Sequence, residues 1–226
     1  MQNKKKPKFK KLYWRLAGSV GVSVFLILLL LHKPAGYTKP SVSDSNKVGK
    51  YVTHVLSPQF YNGLQRREPF ELVIPQDKTK EIVDLTKWPK ESGGTTLSAP
   101  YVFFAPECIR LMGTAAAGGV EFVVTVVVRP AIDEQGLLNL HVAKVKIGAM
   151  NITPLVRPIA RRMYRQRQEA TNVEPEDMGA KITASLLNDE PFEPVLKVQD
   201  GQVRIERITI AEKKLIIRLV PTPPAG

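Results

Sequence analysis

Residues 120–130 read VEFVVTVVVRP, and residues 137–152 read LLNLHVAKVKIGAMNI. In the first stretch Val120, Phe122, Val124, Val126 and Val128 fall on one face, and Glu121, Thr125 and Arg129 on the other. Successive side chains of a strand point to opposite faces, so this alternation predicts a half-buried strand with the valines turned to a core. The second stretch begins in the same way, with Leu138, Leu140 and Val142 opposite Asn139 and His141. Near Ala143 the phase slips by one residue and resumes with Val145 and Ile147 opposite Lys144 and Lys146. A one-residue slip within a strand is what a β-bulge requires. With PAIDEQG at 130–136 as the turn, residues 119–148 predict an antiparallel hairpin.

Outward from this hairpin the pattern stays rich in short strands. Toward the N-terminus, Tyr101–Phe104 and Cys108–Met112 read as strands around Pro106, and 91–98 (ESGGTTLS) as a loop. A helix opens at Pro75 and ends before Pro89, and another starts near Ser45 and fails at Pro58. Toward the C-terminus, Pro154 to Glu169 is helical and 172–178 is an acidic connector. Residues 182–187, 195–198, 203–210 and 215–220 read as four further strands, with a second phase slip between Ile205 and Ile208. Helices that do not alternate with strands point to an α+β class. The expectation is one strongly curved antiparallel sheet packed on two or three helices.

The N-terminal region carries a different signal. Lys and Arg total 33 against 21 Asp and Glu, a net +12. Seven of those cations (Lys4, Lys5, Lys6, Lys8, Lys10, Lys11 and Arg15) lie in the first fifteen residues, and Lys33 is an eighth. That leaves 25 basic residues against all 21 acidic ones, so the whole-chain charge does not indicate a nucleic-acid partner. Residues 16–31 (LAGSVGVSVFLILLLL) contain no charge. With Tyr13, Trp14 and Arg15 at the interface, the run is close to the roughly 17–25 residues a bilayer span needs. Basic residues ahead of the span predict a cytoplasmic N-terminus and a body on the far side. A cleaved signal peptide and a buried core helix are the alternatives; the sequence 32–36 (HKPAG) is a poor cleavage site. The predicted organisation is a basic cytoplasmic tail (1–15), a transmembrane signal-anchor (16–32), a linker (33–47), an extracytoplasmic domain (48–220) and a Pro-rich tail (221–226).

Catalytic signatures are missing. The chain has no G-x-S-x-G, S-x-x-K, phosphate-binding loop or G-x-G-x-x-G. The single cysteine, Cys108, lies in an apolar stretch and reads as a small buried hydrophobe. His32, His54 and His141 are too far apart in sequence to suggest a metal set, and no cofactor is implied. One segment stands out: residues 154–170 (PLVRPIARRMYRQRQEA) carry Arg157, Arg161, Arg162, Arg165 and Arg167 against one acid. Leu155, Ile159, Met163 and Tyr164 supply an apolar side. Such a helix can contact anionic lipid or another polyanion through Arg157, Arg161, Arg162 and Arg165. A packed helix with a solvated basic face is the other reading.

The order of these features resembles the YpmS-like membrane-anchored proteins of bacteria. The matching features are a strand ending in proline (120–130), a polar-glycine turn, a strand ending Lys146-Ile147-Gly148, and the closing hairpin 203–220 (VRIERITIAEKKLIIRLV). The resemblance covers roughly residues 100–220 and leaves the Arg-rich helix and residues 58–98 unmatched. It implies an architecture similar to tubular lipid-binding modules and supplies no catalytic residues. The expectation is a non-catalytic protein of the bacterial plasma membrane whose outer domain contacts lipid or an envelope protein. A scaffold subunit of an envelope assembly is the alternative, and an anchored hydrolase a distant third.

Overall fold

A computed structural model of the chain describes residues 21–34, 37, 49–170, 178–198 and 201–222. Eleven strands lie among them: β1 (Phe70–Pro75), β2 (Lys90–Ser92), β3 (Thr95–Leu97), β4 (Tyr101–Ala105), β5 (Cys108–Ala117), β6 (Val120–Ile132), β7 (Leu138–Ile147), β8 (Met150–Asn151), β9 (Val195–Val198), β10 (Gly201–Ala211) and β11 (Lys214–Thr222). The helices include α1 (Ser57–Arg66), α2 (Thr79–Val83), α3 (Thr153–Ala170) and α4 (Met178–Asn188). The class is α+β with every strand pair antiparallel.

The strands form two sheets where one strongly curved sheet was expected. The smaller has the order β1-β11-β10-β9. The larger runs β2-β3-β5-β6-β7-β8, with β4 pairing the Cys108–Met112 half of β5 beside β3. Neither sheet is strongly curled. Both sequence-level slips are register shifts: one lies at Val127/Val128, opposite Lys144 and Val142, and leaves Ala143 as the extra residue. The other lies at Ile205/Arg207. Each sheet thus holds one of these bends, so the two do not compound within a single sheet.

Two prolines, one expected in a turn and one in the C-terminal tail, sit inside strands. Pro130 pairs with Leu140 and Pro221 with Val203. In both cases the strand on the other side has already ended, at Val128 opposite Ile109 and at Leu219 opposite Phe70. The missing N–H therefore falls where the strand has only one neighbour, as it would on a sheet edge. The stretch 91–98 is a hairpin rather than a loop, turned by Gly93 and Gly94 at φ +56° and +74°.

Residues 182–187, expected as a strand, belong to α4. A short apolar run does not distinguish the two periods, and here the buried pair Ala184–Ser185 fixes the helix on β7. Ser185 is fully buried, and its hydroxyl accepts the Leu140 N–H at 2.8 Å. The first helix likewise does not fail at Pro58. It widens into a π-turn over Val52–Leu56, where the Ser57 N–H reaches the Val52 carbonyl, and resumes as α1 with Pro58 in its first turn. A π-turn shifts the hydrogen-bond ladder by one residue just where a proline cannot donate.

The clearest core lies between α1 and the smaller sheet. Leu72, Val203 and Leu219 are buried there against Leu56, Phe60, Leu64, Phe70, Leu196, Ile205 and Ile217. Burying each such side chain contributes roughly 1.5–3 kcal/mol. Gly63 makes the close approach possible, because a Cβ there would strike the Phe70 ring. The sheets are joined by the Glu107 N–H to the Ile210 carbonyl, and by Arg204, which donates to the carbonyls of Gln135 and Gly136 at 3.2 Å.

Residues 21–31 are helical, and Val22, Val24, Phe25, Leu26, Ile27, Leu28 and Leu31 are exposed along them. Among the described residues no helix is long and apolar enough to cross a membrane. The first part of the predicted span, together with Tyr13, Trp14 and Arg15, lies outside the described residues. So do most of the linker, the acidic connector except Met178, which opens α4, and the tail from 223 onward.

Candidate functional site

The hairpin that decides the fold also builds the site. Thr125 on β6 stands opposite Met112 on β5 and Lys146 on β7. Two residues on, Val127 stands between Arg110 and Lys144, and Arg129 follows on the same face. Residues directly opposite on neighbouring strands have Cβ atoms about 4.5–5.5 Å apart. Period two therefore sets Arg110, Arg129, Lys144 and Lys146 around Thr125 and Val127.

These residues line a cavity of about 770 Å³. Phe103, Cys108, Met112 and Ala143 add apolar wall, and His32 and Pro34 close it from the segment after the 21–31 helix. None of the lining residues is a carboxylate. The four cations make no ion pair among the described residues, and Arg110 lies 6.0 Å from the centre of the Phe103 ring. No two of the four stand directly opposite each other: Arg110 and Lys144 flank Val127, Lys146 faces Thr125 and Arg129 faces His141, so positive charge is spread along one face of three strands.

The floor of the cavity holds an unmet hydrogen-bond donor. Thr125 is 8% exposed, and its hydroxyl has no hydrogen-bond partner among the described residues. An unsatisfied buried hydroxyl costs about 1–3 kcal/mol, which a ligand oxygen would recover. Sequence periodicity had turned this face to solvent. Instead both faces carry buried residues: Val123, Thr125, Met112 and Thr114 on this one, and Val128 and Val145 on the expected core face, where Val124 and Val126 are half-buried.

The 21–31 helix ends against this sheet. The Ala149 N–H donates to the Leu29 carbonyl at 2.9 Å, occupying one of the acceptors a helix leaves free at its C-terminus. Gly148 stands at φ +58°, and a Cβ there would strike the carbonyls of Leu29 and Leu30. The turn between β7 and β8 is thus shaped by the absence of a side chain.

The arginines proposed from the sequence divide into separate groups. Arg157 donates to the Val142 carbonyl at 3.1 Å and to Nε2 of His141 at 3.2 Å. Arginine can only donate, so Nε2 accepts and Nδ1 carries the proton that His141 gives to Asp189 at 2.8 Å. Arg161 reaches the other Asp189 oxygen at 3.5 Å. Arg157 and Arg161 thus tie α3 to β7 and to the residue that follows α4. Arg162 is exposed, and the side chain of Arg165 lies outside the described residues. The apolar side, which a packed helix would turn inward, faces out at its start, with Leu155 66% and Ile159 57% exposed. The register that lets Arg157 and Arg161 reach Asp189 and β7 turns those two residues away.

No family model and no curated protein matches the chain. Sequence reasoning missed Arg110 and the cavity as a unit, although it placed Thr125, Arg129, Lys144 and Lys146 on the polar faces of their strands. The absent information was that β5 pairs along β6 and brings Arg110 into the same row.

Proposed function

We propose that the chain is a single-pass protein of the bacterial plasma membrane, with its N-terminus cytoplasmic, whose extracytoplasmic α+β domain binds lipid or another envelope component without transforming it. The observation that carries this reading is the hydrogen bond from Ala149 to the Leu29 carbonyl. It sets the basic cavity and the start of α3 beside the end of the apolar helix.

Three further features support the reading. The 21–31 helix exposes apolar side chains on all sides, an arrangement suited to hydrocarbon and costly in water. Leu155 and Ile159 lie one turn apart near the start of α3, a few residues beyond the docked turn. The resemblance to YpmS-like anchored proteins points the same way.

Native mass spectrometry of the full chain extracted in mild detergent tests the proposal. Co-purifying anionic phospholipid is expected, and it should dissociate as salt rises. A lipid-free mass accompanied by a stoichiometric protein partner contradicts it and favours the scaffold alternative.

A further inference from the structure

We infer that the cavity between β5, β6 and β7 is a phosphate-binding site. The inference rests on the proposed membrane location only for the source of the phosphate, which is an anionic lipid headgroup in that setting and a free phosphate otherwise.

The chemistry follows from the lining. Arg110 and Arg129 offer planar forks that bind two phosphate oxygens at once, and Lys144 and Lys146 add compact charges. They come from three adjacent strands, so regular sheet geometry fixes their spacing. At the base, the buried Thr125 hydroxyl is free to donate to a further oxygen. A carboxylate ligand would leave part of this donor set unused, whereas a phosphate has enough oxygens to engage it. The apolar wall of Phe103, Met112 and Val127 suits a ligand with hydrocarbon next to its charge. His32 and Pro34 at the rim set the opening next to the end of the apolar helix.

The test uses the full chain in dodecyl maltoside micelles with three probes: dioleoylphosphatidylglycerol, dioleoylphosphatidylcholine and inorganic phosphate. Phosphatidylglycerol should bind in preference to phosphatidylcholine. The double variant Lys144→Gln/Lys146→Gln should weaken it by about tenfold or more. Both side chains reach solvent, and an unchanged melting temperature confirms that the variant folds. Thr125→Val, which keeps the shape and removes the donor, should weaken binding by about fivefold or more without lowering the melting temperature. Inorganic phosphate bound with the same variant sensitivity assigns the site to a free anion and retains the phosphate chemistry. Phosphatidylglycerol binding that neither variant alters overturns the cavity assignment while leaving lipid contact intact. Binding of neither phosphatidylglycerol nor phosphate overturns it outright.

Discussion

Ala149 donates its main-chain hydrogen to the carbonyl of Leu29 at 2.9 Å, and the glycine before it has no side chain to obstruct the approach. This single bond relates an apolar helix to a sheet more than a hundred residues later in the chain. It determines which face of the domain lies near the helix end.

Gly148→Val should separate the two. A β-branched residue at φ +58° is strained by about 1–3 kcal/mol, and its Cβ would strike the carbonyls of Leu29 and Leu30. Strand pairing from β5 to β7 should survive. Hydrogen exchange read by mass spectrometry should show lost protection in the peptide holding Ala149, with the melting temperature down by a few degrees. Unchanged protection there would mean that the bond does not hold the helix.

Ser185→Ala should destabilise the domain by about 1–3 kcal/mol, since it removes the acceptor that the fully buried Ser185 supplies to the half-buried Leu140 N–H. Thermal melting measures the effect. Ser185→Thr keeps the hydroxyl but adds a methyl group where there is no free space, so it should not rescue fully.

Leu155→Glu with Ile159→Glu should leave the melting temperature within a degree or so, because both side chains are exposed. The same variant should lower protection of α3 by phosphatidylglycerol nanodiscs in hydrogen exchange. A large loss of stability instead would place those side chains against protein.

Tyr51 provides a pH test. Burial, and then the nearby Asp77 and Glu81, raise its phenol above the ordinary value of about 10. The folded state therefore holds its proton at a pH where the unfolded chain has lost it. Stability from this source is complete below about pH 10 and falls as pH rises through the folded value. Tyr51→Phe should remove that fall and cost about 1 kcal/mol at neutral pH, because the phenol donates to the Val73 carbonyl at 2.7 Å. Melting at about pH 8 and about pH 11 compares the two proteins.

Much of the fold was legible wherever period two ran long. The β6–β7 hairpin and both phase slips could be read because alternation persists for about ten residues and a slip reverses every side chain. Residues 182–187 failed for the opposite reason: six residues are too few to separate strand from helix, and the deciding contact, Ser185 with Leu140, comes from 45 residues away. Pro58, Pro130 and Pro221 misled because their cost depends on which backbone partners are present, which only the assembled ladder reveals. The site was half legible. The face of Thr125, Arg129, Lys144 and Lys146 followed from phase, but its burial did not, because the segment that covers it lies outside the hairpin.

Full-length chain in phosphatidylglycerol vesicles carrying a headgroup photo-crosslinker gives the most direct reading. Adducts mapped by peptide sequencing should fall in the strand segments holding Arg110, Arg129, Lys144 and Lys146 and near the start of α3. Adducts confined to residues 1–33, with the domain unlabelled, would contradict a lipid-contacting domain seated at the membrane.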